Sequence, residues 1–269
     1  MDIHKPKPWH GVREFLKEYV IIVVGVLTAL GAEQGVEMFH WSEKVRHSEV
    51  QLRKELAPLY FAGEERDRVE TCLYLRLDQL RDALLAGQGD WRPLPPMTLL
   101  NRSVAVMTPS RNWTSEVWRS LMADGTASHL SPERELAYAG LYSQVATMAE
   151  RNGRENDQVS GLDLLQNRLP LSNDKRADLI QRIAEERARV QAMAIGGRQL
   201  KRTIETLVQI DKAKIQQQML VRSNTYRACY GLGLLPPGSP PPEALTPSQL
   251  QQLGAQAPNS PGEPKHGRP

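Results

Sequence analysis

The sequence predicts an all-α protein: one N-terminal transmembrane helix, then an antiparallel helical bundle, then a disordered Pro-rich tail. Three observations predict it. A run of 14 residues without a charge, Asn or Gln lies near the start, at Tyr19 to Ala32. Behind it, apolar residues recur at helical spacing through sequence rich in Ala, Leu, Arg, Glu and Gln, with only three Phe and no sustained strand alternation. Finally, 10 of the 19 prolines fall in the last 34 residues, which sets the C-terminus apart.

As a helix, Tyr19 to Ala32 spans ~21 Å against a hydrocarbon core of about 30 Å. Extension back to Phe15 gives ~27 Å, provided Lys17 and Glu18 turn their heads toward the headgroups; Glu18 is the costlier of the two. Trp9 and Tyr19 on one side, and Phe39 and Trp41 on the other, supply interfacial aromatics. Three readings compete: a retained single-pass anchor, a cleaved secretory signal, and a buried soluble helix. Ala29-Leu30-Gly31 offers a small-x-small cleavage site. Against cleavage, Glu14 and Glu18 sit where a signal is normally plainly basic, and helix-compatible sequence continues past the site through Val36, Met38 and Phe39. The anchor is the reading adopted.

Lys5, Lys7, Arg13 and Lys17 precede the run, whereas only Lys44 and Arg46 follow closely. The positive-inside rule then places the N-terminus in the cytoplasm and the remainder outside it, in the periplasm of a bacterial cell, with the inner membrane as host. The expected organisation is a cytoplasmic N-terminus (1–14), a transmembrane helix (15–35), an extracytoplasmic helical domain (36–235) and the disordered tail (236–269).

The segment VREFLKEYVIIVVGVLTALGAEQGVE, Val12 to Glu37, resembles the opening of an uncharacterised bacterial protein family with a single N-terminal transmembrane helix. Trp118 to Gly125, followed by Leu130 and the Tyr138/Tyr142 pair, is similar to that family's middle segment. The resemblance covers about a fifth of the chain. It implies the anchor and a helical outer domain, and it brings no activity with it.

From Val45 to Leu84 a heptad-like stripe, the pattern of a coiled coil, runs through Leu52, Leu56, Leu59, Leu73 and Leu80, interrupted by Arg66 and Glu70. Pro58 predicts a kink, and Gly87 and Gly89 an end. Trp91 to Pro109 reads as a Pro-rich connection. A short helix is expected around Ser115 to Ala123, stopped by Gly125. Ser131-Pro132-Glu133 then starts another, expected to reach Arg168. Ser172 with Asn173 and Asp174 starts the last, expected to reach Arg222. Helices of this length bury one another as an antiparallel bundle. From Pro236 onward the composition offers too little apolar surface to order the chain.

Sites of chemistry are scarce. The sequence contains no phosphate-binding glycine loop, zincin helix, Cys-x-x-Cys pair or nucleophile elbow. His40, Glu43 and His47 share one helical face, but two His seven residues apart are separated by ~10.5 Å of rise, too far to share one ion, so the face reads as solvated. The Arg- and Glu-rich stretch Glu185 to Arg189 also reads as an exposed helix face. Small residues at Gly25, Thr28, Ala29, Gly31, Ala32 and Gly35 let a transmembrane helix approach a second copy closely, so a homodimer through this helix is a candidate. The two cysteines, Cys72 and Cys229, are a disulfide candidate if the domain lies in an oxidising compartment; two buried thiols are the alternative.

Together these observations point to a non-enzymatic membrane protein with a partner-binding or scaffold domain. Its expected partners are the lipid bilayer and an unidentified envelope protein, with no cofactor and no metal, and no nucleic acid, since the net charge of +3 is spread along the chain and not gathered in a patch. The rival is a ligand-sensing module that signals through a separate membrane partner, since only about 18 residues precede the apolar run.

Overall fold

The computed structural model describes residues 11–99, 102–244 and 246. Among these the chain is mostly helical, with about 3% strand. Six helices follow one another: α1 (Gly11–Ala86), α2 (Glu116–Ala123), α3 (Pro132–Ser160), α4 (Asn173–Leu207), α5 (Lys212–Arg222) and α6 (Asn224–Gly231). Residues 1–10, with Trp9, Lys5 and Lys7 among them, and 247–269, most of the expected tail, lie outside the described residues. The chain divides into two compact units, one comprising the sequence as far as Glu55 with Glu116–Tyr138, the other Leu56–Ser115 with the sequence from Ala139 onward. Helices α1 and α3 therefore contribute to both.

α1 continues unbroken through Pro58. Proline removes one intrahelical donor and crowds the preceding turn, but residues on either side, Leu56 and Leu59, are completely buried, and that burial outweighs the local cost.

In the first unit, α2, the 3₁₀ turn Thr126–His129 (η1) and the start of α3 gather on α1 around buried Trp118, Leu121, Leu130 and Tyr138. The Trp118 and Tyr138 rings lie 5.7 Å apart. Gly125 sits at φ 76°, the left-handed region that glycine adopts at no steric cost, and so lets the chain turn from α2 into η1. α3 begins at Pro132, and the Ser131 hydroxyl accepts from the Arg134 amide at 3.4 Å.

The second unit is built on the other parts of α1 and α3 together with α4, α5 and α6. Leu73, Leu77 and Leu80 of α1, Leu141 and Met148 of α3, and Leu179, Met193 and Leu200 of α4 are buried in its core. α1 and α4 meet in backbone contact at Gly63 and Gly197. A Cβ on Gly63 would stand 2.8 Å from the Gly197 carbonyl oxygen, and one on Gly197 2.9 Å from that of Gly63. Ion pairs flank the crossing: Lys201 reaches Glu64 (2.6 Å) and Asp67 (2.8 Å), and Arg198 reaches Asp67 (2.9 Å) and Glu70 (2.7 Å). Gly197→Ala should therefore destabilise by about 1–3 kcal/mol through overpacking. In Gly140→Ala, where an added Cβ meets nothing within 4 Å, the change should be neutral or stabilising by up to ~1 kcal/mol. Denaturant melts of the two variants check the contrast.

Several boundaries differ from those the sequence suggests. α3 ends at Ser160, where Gly161 leads into a 3₁₀ turn at Asp163–Gln166. α4 ends at Leu207 rather than Arg222. Asp211 then caps α5 by accepting from the Lys214 amide (3.0 Å), and Ser223 caps α6 by accepting from Tyr226 (3.0 Å). The apolar stripe runs on across these breaks, so periodicity alone hides them; Asp211 and Ser223-Asn224 are the local signals. The Pro-rich connection contains a two-stranded antiparallel ladder, Met97–Leu99 (β1) with Arg102–Val104 (β2). Trp91 is tied to Leu169 by backbone hydrogen bonds, and its indole donates to the Leu165 carbonyl (2.8 Å).

The chain does not leave the fold at Pro236. The Tyr226 hydroxyl donates to the Pro240 carbonyl (2.8 Å), the Glu243 amide donates to Leu220, and the Arg227 guanidinium reaches the Glu243 carbonyl. A segment with little apolar surface is held here by its own backbone carbonyls, which proline retains.

Candidate functional site

Two features are out of the ordinary for a helical protein: an exposed apolar helix surface, and charged side chains buried in the core.

α1 is long and apolar enough to cross a membrane. Its most apolar 18-residue window has a mean hydropathy of 1.9, and none of that window is buried. Ile21 is 70% exposed, and Ile22, Val24, Leu27 and Leu30 are exposed too. Farther along the same helix, Leu52, Leu56 and Leu59 are fully buried. Gly25, Gly31 and Gly35 face open space, where an added Cβ would meet nothing within 4 Å, and Ala29 and Ala32 are likewise exposed. The Thr28 hydroxyl donates back to the Val24 carbonyl (2.8 Å), which satisfies it inside its own helix.

The stretch just after this run carries the His40, Glu43 and His47 face. All three are exposed; Glu43 pairs with Arg46 and His47 lies 3.4 Å from Gln51. On another side of the helix the Trp41 ring stacks on His129 of η1, with centroids 3.8 Å apart and planes 14° apart. Lys44 lies 4.7 Å from the Trp41 ring centroid and pairs with Asp124 at 3.2 Å. Hydrogen bonds from Thr126, then the charge of Lys44, pull the Asp124 carboxyl down to about 2.

In the second unit, Arg66 of α1 is 2% exposed. It donates to Glu155 (2.6 Å), to the Pro109 carbonyl (2.6 Å) and to Asn152 (3.1 Å), whose amide oxygen also accepts from the Trp113 indole (3.0 Å). Glu186 of α4 is 0% exposed, and neither of its oxygens accepts a hydrogen bond among the described residues. Its nearest cation, Arg189, stands 3.8 Å away. Burial, followed by the charge of Glu155, pushes the Glu186 carboxyl up to about 8, with Arg189 and Arg66 opposing. Beside this network, Glu65 accepts from Arg111 in a two-pronged pair (2.7 and 2.8 Å).

The sequence reading is corrected at these positions. Arg66 does not simply interrupt the stripe, because it is buried with partners, and the Glu185–Arg189 stretch is not wholly an exposed face, because Glu186 points inward. The partners of Arg66 lie 43 to 89 positions away and carry no local signature.

Cys72 of α1 and Cys229 of α6 are joined by a disulfide, with Cα atoms 5.9 Å apart, and both are fully buried. Among the described residues no group of three or more His, Cys, Asp or Glu is placed to hold a metal ion. A groove of about 380 Å³ between α3 and α4 is lined by Arg151, Arg154, Arg189 and Glu185, with Ala188 and Ala192 leaving the space. No protein-family model, curated protein or solved structure matches this chain.

Proposed function

We propose that this chain is a single-pass membrane protein of the bacterial inner membrane, related to the single-helix family that its opening resembles. Its N-terminus is cytoplasmic, and its helical domain, packed as an antiparallel bundle, lies in the periplasm. The domain acts by holding a protein partner or supporting an envelope assembly, not by catalysis. The observation that carries this reading is the apolar run of α1, none of it buried, in a helix that farther along fully buries Leu52, Leu56 and Leu59.

Other features support it. The basic residues flanking the apolar run weigh toward its N-terminal side, and a buried disulfide suits an oxidising compartment. Arg66 with Glu155 and Arg111 with Glu65 are engaged in pairs that join segments of the domain. The open faces of Gly25, Gly31 and Gly35 suit association with a second copy of the helix.

Eight Val, Ile and Leu residues lie between Val20 and Leu30. At about 0.3–0.6 kcal/mol each they favour insertion by ~2–5 kcal/mol, while an Arg at the helix centre opposes it by about 2.5–3.5 kcal/mol. Val24→Arg should accordingly release a large share of the protein from membranes washed in carbonate, while the unaltered chain stays. Equal release of both would remove the anchor.

The groove between α3 and α4 favours a second reading, a sensor of anionic ligands, because three arginines border it. Co-purification in mild detergent separates the two: a stable protein partner supports the scaffold, whereas a raised melting temperature with citrate or sulfate and no partner supports the sensor.

A further inference from the structure

The apolar surface of α1 does not stop where the membrane-spanning run does. Val36, Met38 and Phe39 are as exposed as the residues inside the run, at 72%, 70% and 68%. One turn farther, Trp41 is half-buried against His129, the first place beyond the run where η1 meets α1. The other ties between α1 and this unit step away from the run: Lys44 to Asp124, Glu49 to Arg134, and Glu55 to the Val117 amide. His129 therefore makes the contact nearest the membrane-spanning segment.

We infer that the Trp41–His129 stack, with Met38 beside it, is a membrane-surface contact that seats η1 against the outer edge of the phospholipid headgroup layer of the bilayer that α1 crosses. The inference rests on the membrane-spanning reading. With the span ending near Gly35, Met38 and Phe39 stand ~4.5–6 Å beyond it and Trp41 ~9 Å beyond. The headgroup layer is about 5–8 Å thick on each side of the hydrocarbon, so the first two side chains lie within it and the stacked rings at its outer edge.

The chemistry suits that layer. The rings present apolar faces, while the polar groups around them are already engaged: the Trp41 indole donates to Glu37 (3.4 Å), and Lys44 is held between the ring and Asp124. An amphipathic aromatic plate rimmed by charge is what a membrane–water boundary selects. A groove of about 650 Å³ opens here, bordered by Gln34, Glu37, Met38, Ser42 and His129. It falls within the ~300–1,000 Å³ range of small-molecule sites, room for a polar headgroup. A lipid surface is preferred over a second chain because exposed Val36, Met38 and Phe39 resume within about a turn of the lipid-facing run, past Glu33 and Gln34, the mixed apolar and charged surface of a membrane boundary.

The test uses the full chain, labelled with 5-fluorotryptophan and reconstituted in vesicles of phosphatidylethanolamine and phosphatidylglycerol at 3:1, with Trp41→Phe assigning the Trp41 fluorine resonance. A lipid spin-labelled on its headgroup should broaden the Trp41 signal at least two-fold more than those of Trp113 and Trp118, which are buried in the domain. A soluble gadolinium chelate should broaden Trp41 less than the lipid label does. A Trp41 signal relaxed by the chelate but not by the lipid label would overturn the inference while leaving the anchor intact. Protection from both agents, lost on dilution into empty vesicles, would overturn it in favour of a second copy. Failure of the protein to float with the vesicles would remove the anchor, and the inference with it.

Discussion

Replacing both Cys72 and Cys229 with Ala is expected to lower the stability of the helical domain by about 2–5 kcal/mol. The bond closes a loop of 157 positions, for which the chain-entropy argument gives ~5 kcal/mol, with measured gains usually smaller. The tether matters because α6 is only eight residues long. An isolated helix of that length is marginal in water. Held to α1 by the disulfide, α6 keeps Tyr226, Ala228 and Cys229 in the core and positions the Tyr226 hydroxyl and Arg227 guanidinium, which donate to the Pro240 and Glu243 carbonyls. Ala serves better than Ser as the replacement, since it adds no buried hydroxyl that lacks a partner. Denaturant midpoints of the variant and of the unaltered protein in reductant should coincide, both below that of the unaltered protein without reductant. A midpoint unmoved by reductant would show that the bond contributes nothing.

The buried charge network gives the other large effect. Arg66→Met removes the cation that compensates Glu155 and leaves two carboxylates beside each other in the core. Breaking a buried pair from one side typically costs about 3–5 kcal/mol. Removing the whole set, as Arg66→Met with Glu155→Leu and Glu186→Leu, should recover much of that loss, because apolar replacements of similar volume often equal a buried ion pair.

Glu186 also sets a pH dependence. Its carboxyl titrates at about 8 when folded, above the ordinary carboxylate value of 4.5. The folded state thus holds a proton that the unfolded state has released, and stability falls as pH rises from about 4.5 to about 8, then levels off. The penalty at the alkaline end is on the order of 5 kcal/mol. Glu186→Gln should flatten this slope and make the protein more stable than the unaltered chain above pH 8. Parallel slopes in the two proteins would contradict the assignment.

Much of the helical layout is legible in the residues themselves. The apolar run, the Ser131-Pro132 start of α3, the Ser172 cap of α4 and the Gly125 turn each carry a local signature, and each stands where that signature puts it. What escapes is non-local. Arg66 and Glu186 look like solvent-facing charges because the pattern of neighbours cannot show that Glu155, 89 positions from Arg66, completes the network. The Gly63–Gly197 crossing is hidden in the same way: each glycine falls at a stripe position of its own helix, and nothing local shows that the two meet. The β1–β2 ladder is three residues a side, too short for alternation to register. The stack of Trp41 on His129 depends on the chain doubling back through α2 and η1.

The central claim is that α1 crosses the inner membrane and leaves the helical domain outside the cytoplasm. Protease treatment of intact spheroplasts that carry the full chain, followed by detection of an N-terminal tag in the membrane fraction, tests it most directly. The proposed topology predicts loss of the full-length band and the appearance of a short, membrane-retained N-terminal fragment. A full-length chain that stays protected until the spheroplasts are lysed, or a chain absent from the membrane altogether, would contradict it.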